Sequence, residues 1–191
     1  MKPGDIIAFS GANLISDFLN VVTYGIPRIS ISHVAIVADY GVAEARATLI
    51  FESTTDNYSP CEIRGIATRG CQAQFLNTRL LNYAGAIWHY PLATPLSQAE
   101  SEALTAYLVP MLGTPYGEIA AFRSGGLGWS WLEQKIHGPA NLSSIFCSEW
   151  VAGGHHAVNR LVTDNIGKWN PNRLIRHERH HGILSPPMRL K

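Results

Sequence analysis

The chain has 191 residues, 46% of them hydrophobic, and this length and composition suit one globular domain with a sizeable core. Its formal net charge of +1 excludes the strongly basic surface that is typical of proteins binding nucleic acid or anionic membranes. No apolar run approaches the roughly 18 residues that a membrane-spanning helix needs, and no secretory signal is visible. We therefore expect a cytoplasmic protein with no integral membrane segment and no nucleic-acid partner.

The first half of the chain is predicted to be rich in strands. Runs of apolar and β-branched residues predict strands over residues 5–9, 32–38, 47–52 and 86–90. Between the first two, apolar residues recur at helical spacing over residues 13–23 and predict an amphipathic helix. Residues 53–84 carry only a weak pattern, so no element is predicted there.

A capped helix is predicted to follow the fourth strand. Ser97 and Glu100 form a capping-box pattern, and the helix they begin is expected to run to about residue 112, with Pro110 interrupting its last turn. A glycine- and tryptophan-rich segment, 124–138, is interpreted as an irregular loop.

The last third of the chain is predicted to hold two more helices. One begins near Ser144, and a short one begins at Asn170-Pro171. A basic, proline-containing tail is expected over about 177–191. The order of elements predicts a single α+β domain over 1–191, with a mainly antiparallel sheet.

Cys147 is the first candidate for chemistry. Ser143 or Ser144 is a good N-cap, which would place Cys147 in the first helical turn, where unpaired N–H groups and the helix dipole favour a thiolate. The same N–H groups can donate hydrogen bonds to an oxyanion. The alternative is a cysteine that only packs, because cysteine is among the most buried residue types. Cys61 and Cys71 are expected to be free thiols, although an oxidising compartment would allow a bridge between them.

His33 is the candidate base for this thiol. It opens a predicted buried strand, where an ionisable side chain must find a partner. The next strand ends at Glu52, and an antiparallel neighbour can bring its carboxylate to the imidazole; Asp39 and Glu44 are the other candidates if the register differs. A cysteine, a histidine and a carboxylate together activate a thiol and fix the tautomer of its base. The alternative is a core histidine with satisfied hydrogen bonds.

The other histidines are less suited to act on Cys147. His155 and His156 lie about 12 Å further along the same predicted helix, so we expect them to be surface or packing residues. His177, His180 and His181 have a spacing that could bind a metal, but no cysteine or carboxylate pairs with them. We expect neither a metal nor an organic cofactor.

Five short segments in a fixed order resemble a known family. The segments GDIIAF, SHVAIV, FES, GTPYG and FCSEWVA are similar to the circularly permuted branch of the NlpC-type papain-like cysteine hydrolases. That branch includes the YiiX-like bacterial proteins and is related to the lecithin:retinol acyltransferase group. Here too the histidine strand precedes the cysteine helix. The resemblance covers Gly4 to about Ala152, implies a permuted papain-like fold whose sheet packs against the cysteine helix, and suggests structural roles for Asp5 and Glu149.

The resemblance also implies a catalytic set. Cys147 matches the nucleophile, His33 the general base and Glu52 the polar residue that orients the histidine. Tyr116 matches a tyrosine that lines such sites and helps hold the oxyanion, and its alternative is a half-buried turn aromatic. The segment 124–138 and the tail lie outside the resemblance.

The expected function is hydrolysis of a peptide or isopeptide amide through a covalent thioester. The same three residues could instead act on an acyl ester or lipid, and Trp129 and Trp131 could either line an apolar cleft or fill the core. Two further alternatives are a non-catalytic papain-like binding module and a metal-binding protein that uses the histidine-rich tail. The sequence leaves the oligomeric state open, and a cell-wall substrate would require release by lysis or delivery with a phage particle.

Overall fold

The fold is organised around one antiparallel sheet. The computed structural model describes residues 1–11, 31–41, 47–55, 59–115 and 142–191, with the side chains of the last range described from Cys147 onward and that of Lys168 left out. In these ranges six strands pair in the order β4-β3-β2-β1-β5-β6. The strands are β1 (Ile6–Ser10), β2 (His33–Val37), β3 (Leu49–Thr54), β4 (Gly70–Phe75), β5 (Ala86–Tyr90) and β6 (Met188–Arg189).

Four α-helices accompany the sheet in the described ranges. They are α1 (Leu76–Asn82), α2 (Gln98–Leu108), α3 (Leu142–Ala157) and α4 (Pro171–His180). α3 packs against β2 and β3, and α2 packs against α3. In the described ranges none of the helices has the length and apolar character needed to cross a bilayer.

The four predicted strands are confirmed. β5 has the predicted bounds, and β1, β2 and β3 lie within two residues of theirs. β1 is a continuous apolar run because both faces of the sheet are covered: Ile6 and Ala8 belong to one buried cluster, and Ile7 and Phe9 to the other. A strand buried on both sides has no polar face, so it shows no alternation in sequence.

The stretch 53–84 holds two elements that the sequence did not predict, β4 and α1. Two buried residues of β4 are glutamines, and the amide nitrogen of Gln74 donates to the carbonyl oxygen of Pro60 at 2.9 Å. α1 has no side-chain cap at its start and buries only Leu76 and Arg79. Polar residues in a buried strand and a short uncapped helix leave no periodic signal.

The capping box that begins α2 is confirmed. Ser97 Oγ accepts from the Glu100 N–H at 3.3 Å, and the Ser97 N–H donates to Glu100 Oε2 at 2.7 Å. The predicted end near residue 112 is too late: α2 ends at Leu108, and Val109–Met111 form a 3-10 helix. Pro110 explains this end, because proline has no N–H to donate to an α-helical hydrogen bond.

Part of the segment predicted as a basic tail has regular secondary structure. α4 begins at Pro171 as predicted, with Asn170 Oδ1 accepting from the Arg173 N–H at 2.8 Å. However, 177–180 form the last turn of α4, and Met188–Arg189 pair with β5 at the edge of the sheet. The predicted helix over 13–23 and the predicted loop over 124–138 fall outside the described residues.

Candidate active site

Cys147 lies in the second turn of α3, so the prediction that it occupies the first turn is wrong. α3 begins at Leu142, and 147 − 142 = 5 residues separate the two, about 7.5 Å along the axis. Ser143 and Ser144 therefore lie inside the helix and are not N-caps. The backbone N–H of Cys147 falls among those that bond to carbonyls within a helix, so it is not one of the unpaired N–H groups predicted to hold an oxyanion.

His33 and Glu52 meet across neighbouring strands. Ile36 lies opposite Phe51 in the antiparallel pairing of β2 and β3, and alternation along each strand places His33 and Glu52 together on the other face of the sheet. Imidazole Nε2 of His33 lies 2.8 Å from Glu52 Oε2. The Glu52 side chain is fully buried, whereas the His33 side chain keeps 15% of its area exposed.

The Cys147 side chain reaches the same histidine. It is a hydrogen-bond partner of His33, and because Glu52 engages Nε2, the ring nitrogen left for the sulfur is Nδ1. Burial alone would lower the pKa of His33, but negative charge on the Cys147 sulfur and the hydrogen bonds to both partners raise it to about 9. At neutral pH the ring is therefore an imidazolium, held between the Glu52 carboxylate and the Cys147 side chain.

Arg79, on α1, is a second cation at Glu52. Its Nε lies 3.0 Å from Glu52 Oε1, the oxygen that does not face His33. Gln72 Nε2 donates to the same oxygen at 3.4 Å. Arg79 was missed because it lies in the stretch with a weak pattern, and no sequence signal distinguishes it from an exposed arginine on a short helix.

These contacts keep the carboxyl group of Glu52 ionised. Burial alone would raise its pKa, but the hydrogen bond from His33 and the positive charges of Arg79 and His33 outweigh burial and hold the pKa of Glu52 below its usual range. A carboxylate held ionised in this way can only accept hydrogen bonds. It therefore fixes the orientation of the imidazole and the position of its Nε2 proton.

The structure brings Glu52, rather than Asp39, to His33. Asp39 follows β2 and is exposed, and its Oδ1 accepts a long hydrogen bond from the Gly41 N–H at 3.4 Å. The remaining candidate carboxylate, Glu44, and the predicted site residue Tyr116 both lie outside the described residues.

The beginning of β2 is fixed by a distant part of the chain. The Ile31 N–H donates to Asn172 Oδ1 of α4 at 2.8 Å, and the Ser32 N–H donates to the Phe9 carbonyl of β1 at 2.9 Å. The Phe9 ring lies 5.1 Å from the His33 ring, centroid to centroid. The imidazole is thus held by the backbone before it and by an aromatic ring beside it.

His155 is a buried structural histidine. Its Nδ1 lies 2.8 Å from Glu178 Oε1, and its Nε2 lies 2.8 Å from the Gly4 carbonyl oxygen. Both ring nitrogens face hydrogen-bond acceptors, so the imidazole must carry a proton on each nitrogen to donate to both acceptors. Burial alone would lower the pKa of His155, but the Glu178 carboxylate and the Gly4 carbonyl raise it.

Asp5 has the structural role that the resemblance implied. Its Oδ2 accepts from the Lys2 N–H at 2.9 Å and lies 2.8 Å from His89 Nε2, and its Oδ1 accepts from the Leu92 N–H at 3.0 Å. This carboxylate ties the start of β1 to β5. The other residue of this kind, Glu149, is buried on α3.

The histidines near the end of α4 stack on one another. The His177 ring lies 4.6 Å from the Trp169 ring and 4.0 Å from the His181 ring, centroid to centroid. Among the residues that the structure describes, no group of three histidine, cysteine, aspartate or glutamate side chains is arranged to hold a metal ion.

The three cysteines are thiols that form no disulfide. Cys61 and Cys71 are both fully buried, and Cys61 Sγ accepts from the Ala73 N–H at 3.3 Å. Burial, with a smaller contribution from the Glu149 carboxylate, raises the pKa of Cys71 to about 12. Of the three thiols, the one beside an imidazole is Cys147.

Comparison with known proteins shows the fold but not the activity. No protein-family model matches the sequence, and no curated protein matches it. The chain is similar in structure to YiiX, a metalloprotein from Escherichia coli O157:H7, with a TM-score of 0.51 and 16% sequence identity over 84% of this chain and 67% of that one. The α+β arrangement with its six-stranded antiparallel sheet is therefore a YiiX-like fold.

Proposed function

We propose that this chain is a cysteine hydrolase that cleaves an amide bond through Cys147, His33 and Glu52. The observation that supports it best is the position of the His33 ring, which hydrogen bonds the Cys147 side chain and, 2.8 Å from Nε2, a fully buried carboxylate. Nucleophilic catalysis by cysteine requires a thiol next to an imidazole, and a carboxylate on the other side of the ring that orients it. The permuted papain-like arrangement, in which the histidine strand precedes the cysteine helix, belongs to the same proposal.

The proposed reaction proceeds through a thioester. The Cys147 thiolate attacks the carbonyl carbon, and the C–N bond breaks as His33 transfers its Nδ1 proton to the leaving amine. Water then gives a proton to His33 and attacks the thioester carbonyl, which releases the carboxylic acid and regenerates the thiolate and the imidazolium. Glu52 holds Nε2–H throughout, so the ring keeps the orientation needed for both transfers.

The raised pKa of His33 favours an amide over an ester as the substrate. An amine cannot leave as an anion, so C–N cleavage needs a proton donor in place when the bond breaks. His33, with its pKa raised to about 9, carries that proton throughout the neutral range. An acyl ester or lipid on the same residues is the second candidate, and the choice between the two is made by experiment.

Thiol labelling and hydrolysis together test the proposal. All three cysteines are buried, so iodoacetamide labelling from pH 5 to 10, with the labelled peptides identified by mass spectrometry, should modify Cys147 first because of the imidazole beside it, and Cys61 and Cys71 serve as internal controls. Hydrolysis should be measured with aminomethylcoumarin amides and methylumbelliferyl esters that carry the same acyl groups. Cys147→Ala should lower amide hydrolysis by about 10³-fold or more, and wild-type hydrolysis should decline above pH 9 as His33 loses its proton.

Two results, if both were obtained, would contradict the proposal that the chain is a cysteine hydrolase. The first is a Cys147 that alkylates no faster at pH 7 than a free thiol in the unfolded chain. The second is hydrolysis that Cys147→Ala leaves unchanged. Esters hydrolysed with amides left intact would instead favour the second candidate. We also propose the cytoplasm as the site of action, where three thiols that form no disulfide would stay reduced.

A further inference from the structure

We propose that Arg79 is a positioning residue: its cation balances the Glu52 carboxylate, so that Cys147 can be a thiolate beside a protonated histidine. The inference rests on the proposed function and adds a residue that acts through Glu52 rather than on the substrate.

The geometry gives each carboxylate oxygen its own cation. Glu52 Oε2 lies 2.8 Å from His33 Nε2, and Oε1 lies 3.0 Å from Arg79 Nε. Arg79 is 3% exposed and Glu52 is fully buried, a condition that arginine and glutamate almost never reach unless they are paired. Arg79 is also held from the side, because its guanidinium carbon lies 5.3 Å from the Phe9 ring centroid and 6.0 Å from that of Tyr83.

Counting charges shows what Arg79 changes. Without it, ionised Glu52 and protonated His33 already cancel, and a Cys147 thiolate would leave the buried group with a net charge of −1. Such a group would favour the neutral thiol, because uncompensated buried charge is strongly unfavourable. With Arg79 present, arginine and glutamate cancel, and the imidazolium and thiolate form a second neutral pair.

The other groups around the site do not replace this charge. Gln72 on β4 is a neutral donor to Glu52, and Phe9 on β1 offers His33 an uncharged ring. The buried carboxylate of Glu149 on α3 acts electrostatically on Cys71. None of these three groups carries a positive charge that could balance the Glu52 carboxylate. The guanidinium of Arg79 supplies that charge.

A series of variants that removes first the cation and then the anion tests the role of Arg79 without any substrate. The measurement is the pH midpoint of Cys147 alkylation by iodoacetamide in wild type, Arg79→Met and Arg79→Met/Glu52→Gln. Arg79→Met should raise the pH midpoint of alkylation by about one unit. At a pH below both midpoints, Cys147 of the variant should therefore be alkylated about tenfold more slowly than that of wild type. The double variant is neutral again and should return to within half a unit of wild type. Arg79→Lys, which keeps the cation, should stay with wild type.

The matched control is Arg160→Met, which removes an arginine that pairs with Glu100 at 3.0 Å and should leave the midpoint unchanged. A role in packing alone predicts equal midpoints for Arg79→Met and the double variant, or no shift at all, and either result would overturn the proposal.

A second readout decides the question if Arg79→Met does not fold. NMR titration of the His33 ring protons is then compared between Glu52→Gln and the double variant. In Glu52→Gln the Arg79 guanidinium no longer has a carboxylate to balance it, so the His33 midpoint should be at least half a pH unit lower than in the double variant. Equal midpoints in the two variants would overturn the proposal. Failure of the proposed function is a separate result. A wild-type protein that hydrolyses neither the amide nor the ester probe would refute the hydrolase proposal, whereas the alkylation midpoints test the role of Arg79 in either case.

Discussion

Replacing Glu178 with glutamine should reverse the pH dependence of stability that His155 contributes. In the native protein His155 donates toward Glu178 Oε1 and the Gly4 carbonyl, each at 2.8 Å. A glutamine amide can instead donate to Nδ1 of a neutral ring, whose Nε2–H still reaches Gly4. The variant therefore keeps both hydrogen bonds and changes only which protonation state of the histidine the fold prefers.

The sign follows from the direction of each pKa shift. In the wild type the Glu178 carboxylate raises the pKa of His155 above its usual 6.5 against burial and against the charge of Arg160, so the stabilisation is complete below pH 6.5 and is lost as pH rises through the raised pKa. In Glu178→Gln, burial without an anion lowers that pKa, so stability is lost as pH falls below 6.5.

The magnitude is about 1.4 kcal/mol for each pH unit between the folded and unfolded pKa values. Across the range from pH 5.5 to 7.5 the wild type should therefore lose stability as His155 gives up its proton, whereas Glu178→Gln should gain stability as the buried ring becomes neutral. Hydrogen bonds to charged groups contribute about 1.5–3 kcal/mol, so the free energy of unfolding of the wild type minus that of the variant should fall by an amount of this order as the pH rises from 5.5 to 7.5. Contributions of His33 and other groups are common to both proteins and cancel.

Urea unfolding followed by tryptophan fluorescence measures this difference, since Trp150 and Trp169 are buried. Glu102→Gln, on the exposed side of α2, is the matched control and should run parallel to wild type at every pH. A wild-type and Glu178→Gln pair whose difference stays constant from pH 5.5 to 7.5 would refute the reasoning, because the histidine would then not be the group that titrates.

Two further substitutions test the packing of the scaffold. Asp5→Asn places an amide where the carboxylate accepts from three donors, and it should cost about 2–4 kcal/mol in urea unfolding, whereas Asp39→Asn at an exposed turn should cost no more than about 0.5 kcal/mol. Gly153→Ala adds a Cβ that overlaps the Tyr107 hydroxyl, so it should lower the free energy of unfolding by about 1–2 kcal/mol even though alanine favours a helix; a higher Tm would contradict this.

The sequence predicted the parts of the site that lie on strongly patterned elements. His33 and Glu52 follow from two apolar strands that are adjacent in sequence, and adjacent strands pair as antiparallel neighbours in most sheets. The helix of Cys147 was also predicted, but its start was placed two residues late. That small error moved the cysteine between turns, because helix termini are the least certain part of a pattern.

Arg79 and His89 could not be predicted in the same way. Arg79 reaches Glu52 of β3 from the short helix that directly follows β4, and neither β4 nor that helix has an apolar repeat. His89 lies in a correctly predicted strand, but its partner, Asp5, is 84 residues away, just before β1. Pairings of this kind depend on which strands become neighbours, and sequence periodicity carries no information about that.

The bond from the Ile31 N–H to Asn172 Oδ1 has a consequence for how the protein is made. It spans 141 residues and fixes the backbone two positions before His33. On a ribosome, which delivers the chain from its N-terminus, the strand of the histidine emerges long before α4 exists to hold it. Its cysteine partner is 114 residues further on, and closure of such long separations is slow. Under the proposed function, the nascent chain would therefore lack the pairing of Cys147 with His33 until α4 docks, so activity would follow the folding of all these elements.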